Sequence, residues 1–367
     1  MDKWDNITPP MVSLPGPPSG AFGTNAFVLD PVNAGTIYLG TSQQGIYKST
    51  NCGKTWEHIN TGSQGICGGP GFQEPCPQAL DSGRQWSFAI DPSDPKILYT
   101  ANGFGGYSAG LLKSVDGGVN WAEIWPPKGG AAAVTGNIAG LPSFVGKFEY
   151  DPWNHLHLLV GFHEPCSSGH SSLCWVETYD GGDSWTVRDG SAGMSGYSPH
   201  DTSFYILDAP THWLATMQDQ IWRTANSGKT WQKLQYPDAS YPAMLGGLWR
   251  DNGILYLGGT GGMNYSKDGG VTWERVPGDS GFALGPVLRI DEKTLVSSSF
   301  AVCHDGSNLP QDYRVYRTSE DGITWNTFGP WFSQGGSYMG FDAAHGLLYS
   351  SNCQQGFFRV KLRPNRP

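Results

Sequence analysis

The sequence predicts an all-β protein, on the strength of its composition, its lack of helical runs and one repeated motif. Gly (52) and Pro (26) make up about a fifth of the 367 residues, a density suited to many tight turns. Aromatic residues reach 13%, too many for a disordered chain and well suited to pleated, half-buried strands. Charged residues are only 15%, and no long Ala/Leu/Glu/Lys stretch of the kind that builds helices occurs. The length alone would suggest two domains. A motif recurring along the whole chain argues instead for one repetitive unit.

Six segments follow the pattern Ser/Thr-x-Asp/Asn/Glu-x-Gly-x-Thr/Ser/Asn-Trp: STNCGKTW (49–56), SVDGGVNW (114–121), TYDGGDSW (178–185), TANSGKTW (224–231), SKDGGVTW (266–273) and TSEDGITW (318–325). Asn51, Asp116, Asp180, Asn226, Asp268 and Glu320 are placed to accept backbone N–H bonds inside their own turns. The glycine two positions later supplies a backbone angle that other residues disfavour. The closing Trp is a large apolar plug. This motif resembles the Asp-box, or BNR repeat. Over essentially its whole length the chain is similar to the β-propeller superfamily that includes sialidases, xyloglucan-hydrolysing glycosidases and sortilin-type receptors. The resemblance implies that each box joins the third and fourth strands of a four-stranded blade, and that its acids are folding devices.

The remaining elements follow in order. Each innermost strand is an apolar run stopped by an Asp-Pro turn: FVLDP (27–31), FAIDP (88–92), FEYDP (148–152) and the variant YILDAP (205–210). The box tryptophans, from Trp56 to Trp325, recur at roughly forty- to sixty-five-residue intervals, and the path from Trp325 through the C-terminus to Trp4 is one more interval. Trp4-Asp5-Asn6-Ile7 matches the strand that follows a box, as in Trp56-Glu57-His58-Ile59. Seven antiparallel blades are therefore expected in one domain, 1–367. Residues 1–10 complete the last blade, whose other strands fall within 338–362. Such a ring leaves few exposed sheet edges.

A net charge of −9 with no basic stripe argues against a nucleic-acid partner. No apolar stretch approaches the ~20 residues that span a bilayer, so no membrane role is expected. Met1-Asp2-Lys3-Trp4 lacks signal-peptide character and reads as a mature domain with an added Met. Cys67/Cys76 and Cys166/Cys174 each bracket a short loop, and Cys303 with Cys353 makes a third suspected pair, leaving Cys52 free. Disulfides imply a secreted or periplasmic protein, and the closed, acidic ring suits a monomer.

By resemblance, propeller ligands bind on the face opposite the boxes, reached by the long segments 60–85, 125–147, 161–175, 189–203 and 299–314. Long polar loops on a rigid scaffold are where function is placed. His200 and Asp201, just before the innermost strand of blade 4, are the first candidates for catalysis, as base and as acid or orienting partner. His163 and Glu164 in blade 3 and Asp219 in blade 4 join them. Arg84, Trp86, Lys147, Tyr197, His304, Asp305 and Trp331 are expected to bind substrate, the aromatics stacking on sugar rings. His155 and His157 alternate as if along one face of a strand; packing is the preferred reading over a metal pair. No cofactor is called for, and no spacing demands calcium or another divalent ion.

The resemblance stops short of any one activity. The Arg-Ile-Pro motif of sialidases is absent, and a triad from Arg84, Arg250 and Arg289 would use residues that read as strand termini. Xyloglucan hydrolases place two acids across a cleft between two propellers, whereas one ring is counted here. The reading adopted is a carbohydrate-active enzyme, a glycoside hydrolase with one asymmetric pocket on a poly- or oligosaccharide. The alternatives are a polysaccharide lyase with a His or Tyr base, a non-catalytic lectin, and a protein-binding scaffold.

Overall fold

A computed structural model describes residues 3–14, 23–59, 66–67, 74–75, 80–81, 83–103, 110–126, 133–142, 145–190, 194, 202–217, 220–235, 247–259, 262–277, 286–298, 314–332 and 338–362. Seven four-stranded antiparallel blades form a propeller ring, and helix is all but absent among the described residues. Their innermost strands, in chain order, are Thr24–Leu29, Arg84–Ile90, Val145–Tyr150, Ser203–Ile206, Leu248–Asp251, Leu288–Arg289 and Met339–Asp342. Asp5–Asn6 is the outer strand of blade 7: Asp5 pairs with Arg359 and Asn6 with Phe358, and Ile7 N donates to Phe357 O at 2.8 Å. Trp4 packs with Val296, Met339 and Leu348, so both ends of the chain share one core. Blade 3 gains a fifth strand, Ala133–Thr135, which runs parallel to Ser184–Asp189. Ile66–Cys67 pairs with Glu74–Pro75 in a small ribbon.

The repeated turns explain the register of each blade. In the second, Ser114 Oγ donates to Asp116 Oδ1 (2.9 Å) and accepts from Gly118 N (2.9 Å). Asp116 Oδ1 also accepts from Val119 N and Asn120 N, at 3.0 and 2.9 Å. The amides that a tight turn leaves bare are thereby satisfied by two side chains. The sixth turn departs from expectation. Its acceptor is Asp321, not Glu320: Oδ1 receives Ile323 N, Thr324 N and Ser319 Oγ at 2.8, 2.6 and 3.0 Å. Ser319 takes the place expected of Thr318, so this turn is one residue shorter, and Glu320 lies exposed.

Between the sheets lie aromatic plugs. Trp121, Trp125, Trp175, Trp185 and Trp213 are fully buried. Each such ring removes ~150–250 Å² from water, worth roughly 4–6 kcal/mol before entropy at about 25 cal/mol per Å². Trp56 Nε1 donates to Ile7 O (2.8 Å) and Trp185 Nε1 to Ile124 O (2.9 Å), tying each turn to the outer strand of the preceding blade. A cation from the preceding blade grips the same turns: Lys113 Nζ on Gly181 O (2.8 Å), Arg223 Nε on Gly269 O (3.3 Å), and Arg359 on Cys52 O.

His155 and His157 are not on a strand, because the turn after Asp151 extends to the start of the second strand at Leu158. His155 Nδ1 pairs with Asp91 Oδ2 of blade 2 at 2.7 Å. His157 is buried between Asp151 Oδ2 (2.7 Å) and Glu177 Oε1 (3.0 Å), its ring stacked on Tyr179 at 4.2 Å. His157 is thus packed and paired, while His155 is paired at a partly exposed site. Cys166 and Cys174 form a disulfide, Cys353 is also disulfide-bonded, and Cys52 is free. Cys76 and Cys303 lie outside the described residues.

Candidate functional site

The innermost strands of neighbouring blades touch around the axis, blade 1 with 2, 2 with 3, 3 with 4, and 7 with 1. Alternation along a strand sends successive side chains to opposite faces of the blade, toward its two neighbours. In blade 3, Phe148 enters the core between sheets, so Lys147 and Glu149 project from the opposite face. The axial channel is lopsided. Blades 7, 1 and 2 line an open apolar pocket of about 390 Å³ with Phe27, Val28, Phe88, Ala89 and Met339. Blades 3, 4 and 5 contribute Lys147, Glu149, Tyr205 and Arg250. Lys147 Nζ lies 5.9 Å from the centre of the Tyr205 ring. Gly247 leaves it room, since a Cβ there would stand 3.3 Å from Nζ.

Electrostatics follow from this enclosure. Burial pushes Lys147 down to about 8, partly offset by the Glu149 carboxylate. Glu149 is pushed up, because burial outweighs Arg250, the Ile206 amide and Lys147. Its Oε1 accepts from Ile206 N and Arg250 Nη2, each at 3.1 Å. Arg84 is buried at the start of its strand with Nε on Asn25 Oδ1 (3.2 Å), and burial lowers it to about 9. The Tyr338 hydroxyl belongs to the same environment and is pushed up by burial despite the Arg84 charge.

On the face opposite the repeated turns, blade 3 supplies the rim. Val145 pairs with Phe162, so His163 and Glu164 emerge where the innermost strand begins. His163 is half-buried and Glu164 exposed. The Cys166–Cys174 disulfide closes their loop, and Ser167 N donates to Gly140 O at 2.9 Å. Thr202 N donates to Phe162 O at 3.0 Å, joining the chain just after Asp201 to the residue just before His163. Gly161 permits the approach, since a Cβ there would lie 2.1 Å from Thr202 O.

Of the expected site residues, Arg84, Lys147, His163 and Glu164 therefore sit around the channel mouth and its blade 3 rim. His200, Asp201, Asp219, Tyr197, His304 and Asp305 lie outside the described residues, and only the backbone of Trp86 and Trp331 is described. Sequence reasoning missed Glu149 and set Arg250 aside as an inner-strand residue beside an Asp turn. A usable signal existed: Lys147 and Glu149 stand four and two residues before the closing Asp151, positions held by Ser87 and Ala89 in blade 2.

No model of a known protein family matches the sequence. The chain is similar to a xyloglucanase of Hypocrea jecorina, with 23% identity across 90% of this chain and 35% of that protein. It is likewise similar to the xyloglucanase Xgh74A of Acetivibrio thermocellus, at 22% identity over 84% of this chain and 33% of that protein. The chain thus spans about a third of the length of the curated relatives it matches. Among solved structures it resembles YCF48 from Cyanidioschyzon merolae, with a TM-score of 0.59 at 12% identity over 97% of this chain and 98% of that one. An ancestral GH74 enzyme gives a TM-score of 0.51 at 14% identity, over 94% of this chain and 54% of that one. The solved structures show the propeller fold, and the curated relatives are xyloglucanases at 22–23% identity.

Proposed function

We propose that this chain is a single-ring Asp-box propeller that hydrolyses a polysaccharide on the face opposite its repeated turns. The similarity to xyloglucanases across 90% of the chain carries the reading. A glycoside hydrolase needs two carboxyl groups about 5–5.5 or 6.5–9.5 Å apart. In the proposed site Asp201 and Glu164 are that pair, with Asp219 as a further acid and His200 and His163 as their proton-handling partners. The bond from Thr202 N to Phe162 O supports the pairing, because it joins the two segments that carry them. Arg84, Lys147, Trp86, Tyr197, His304, Asp305 and Trp331 would hold the glycan, and Lys147 with Glu149 would present charge at the channel. The Cys166–Cys174 disulfide and the similarity to an extracellular domain of B. thetaiotaomicron (TM-score 0.59) support an extracytoplasmic site of action.

The test is mass spectrometry of products from xyloglucan and a panel of other polysaccharides, with Asp201→Ala and Glu164→Ala in parallel. Products one water heavier that vanish in both variants support the reading; full activity in either removes that residue from the pair. One observation favours a lyase as the second reading. Two enclosed cations, Arg84 and Lys147, are suited to neutralising a uronate carboxylate, and unsaturated products from uronate polymers alone would replace hydrolysis by elimination.

A further inference from the structure

Among the described residues, the seam between blades 7 and 1 is the one that carries a free thiol. The residue before the turn glycine is Gly117, Gly181, Ser227, Gly269 or Asp321 in five turns, and Cys52 in the first. Cys52 is half-buried and free, and among the described residues it is the free thiol. Across the seam, the turn that closes the innermost strand of blade 7 presents buried Asp342 and exposed His345. His345 Nδ1 is 2.7 Å from Asp342 Oδ2, which also accepts from Gly35 N at 3.0 Å. One ligand atom each of Cys52, Asp342 and His345 lies within 4.8 Å of the other two. Gly35 keeps the space between them clear, since a Cβ there would stand 2.9 Å from Cys52 Sγ and 3.4 Å from His345 Cε1. A separate observation points into the same space. The Tyr349 hydroxyl is buried beside the same space, within hydrogen-bonding reach of Cys52 and near Asp342.

We propose that Cys52, Asp342 and His345 bind a divalent transition metal, zinc by preference, as a clasp between the first and last blades. A thiolate, an imidazole and a carboxylate form a donor set that suits zinc rather than calcium or magnesium, and three protein ligands leave one tetrahedral position for water. The supporting contacts are in place: Gly35 N orients the Asp342 carboxylate, and the Tyr349 hydroxyl offers a donor to the thiolate or the bound water. The position matters because the ring closes here. An ion that bridges blades 7 and 1 only when they are docked stabilises the folded ring by mass action.

The test uses the full chain titrated with Co²⁺ and then Zn²⁺. Expected are a near-ultraviolet thiolate-to-cobalt charge-transfer band saturating at a single equivalent, visible bands of tetrahedral intensity, and displacement of both by zinc. Zinc at about a hundred times its Kd should raise the Tm by about 3 °C. Cys52→Ser should abolish the charge-transfer band and the Tm rise. It should still fold, because the turn Asn226–Trp231 already has Ser227 at the matching position with φ of 55°. His345→Gln should weaken cobalt binding at least tenfold. The proposal is overturned if cobalt gives no thiolate band, or if the band persists unchanged in Cys52→Ser.

Discussion

Replacement of His157 by Gln tests how the fold uses a buried charge. Asp151, Glu177 and His157 side chains are each only 2% exposed, and a carboxylate faces each ring nitrogen. Burial alone would lower His157, but hydrogen bonds and charge from Glu177 and Asp151 outweigh it and push it up. Glu177 is likewise held below the usual carboxylate range, since bonds from His157, Tyr179 and Arg188 outweigh its burial. The ring is therefore a doubly protonated cation. Removing one partner of a buried pair costs about 3–5 kcal/mol. The lower end applies, because Arg188 Nε remains 2.9 Å from Glu177. At about 2.1 cal/mol/K per residue, a ring of this size unfolding as one unit loses about 1.3 °C per kcal/mol, so His157→Gln should lower the Tm by about 4 °C near pH 6. The pH dependence has a definite sign. A histidine raised in the folded state stabilises fully below its unfolded pKa of about 6.5, and that contribution is lost as pH rises through the folded value. Glu177, depressed in the folded state, contributes above about 4.5 and loses its contribution as pH falls through its folded value. The gap between wild type and variant, read by calorimetry, should be widest near pH 5–6 and narrow toward alkaline pH. A gap under about 1 °C at pH 6, or one that widens with alkali, would refute the charged-ring reasoning.

Three further outcomes are expected. Asp321→Ala should destabilise by about 1 kcal/mol, as a lost cap does, while Glu320→Ala leaves the Tm unchanged; equal effects would restore the longer turn. Replacing Cys166 and Cys174 with Ser opens a loop of sequence separation 8 and should cost roughly 2.5 kcal/mol by loop entropy, about 3 °C in Tm, with glycan turnover falling further than stability if the loop positions Glu164. Glycan affinity should weaken as pH rises through about 8, where Lys147 loses its proton, and Lys147→Met should be weak and flat with pH; a wild-type profile flat through that range would take Lys147 out of the binding site.

The ring was readable because its information is local. A turn that satisfies its own amides needs its acid, glycine and Trp at fixed spacing, so six copies are visible without tertiary knowledge. Ring closure was readable for the same reason, since Trp4-Asp5-Asn6-Ile7 repeats the sequence that follows a box. The sixth turn misled because Glu320 and Asp321 are adjacent and either spelling fits the pattern; only the amides of Ile323 and Thr324 decide between them. His155 and His157 misled because alternation is a strand signal only when a strand is present, and the turn before Leu158 alternates too. The pairing of Glu149 with Arg250 was hidden for a different reason. Their partners come from other blades, and no one-dimensional spacing encodes the axis on which they meet.

The channel also bears on the choice between one pocket and many. A lectin that uses the gaps between blades needs equivalent groups around the ring. The residues four and two before the closing Asp are not equivalent: Ala26 and Val28 in blade 1, Ser87 and Ala89 in blade 2, Lys147 and Glu149 in blade 3. Lys147, Glu149 and Arg250 lie on blades 3 and 5, beside the stapled rim of blade 3, while blades 7, 1 and 2 line an open apolar pocket of about 390 Å³. A buried Lys and Glu on one strand cost desolvation that folding alone gives no reason to bear, because the apolar pair of blade 1 occupies the same position without them. Under the proposed function, that asymmetry favours a single ligand orientation, with a polar group of the glycan toward blade 3. A binding stoichiometry of one glycan per chain, lost in Lys147→Met, is the outcome this argument requires; several equal sites that survive the substitution would return the ring to the lectin reading.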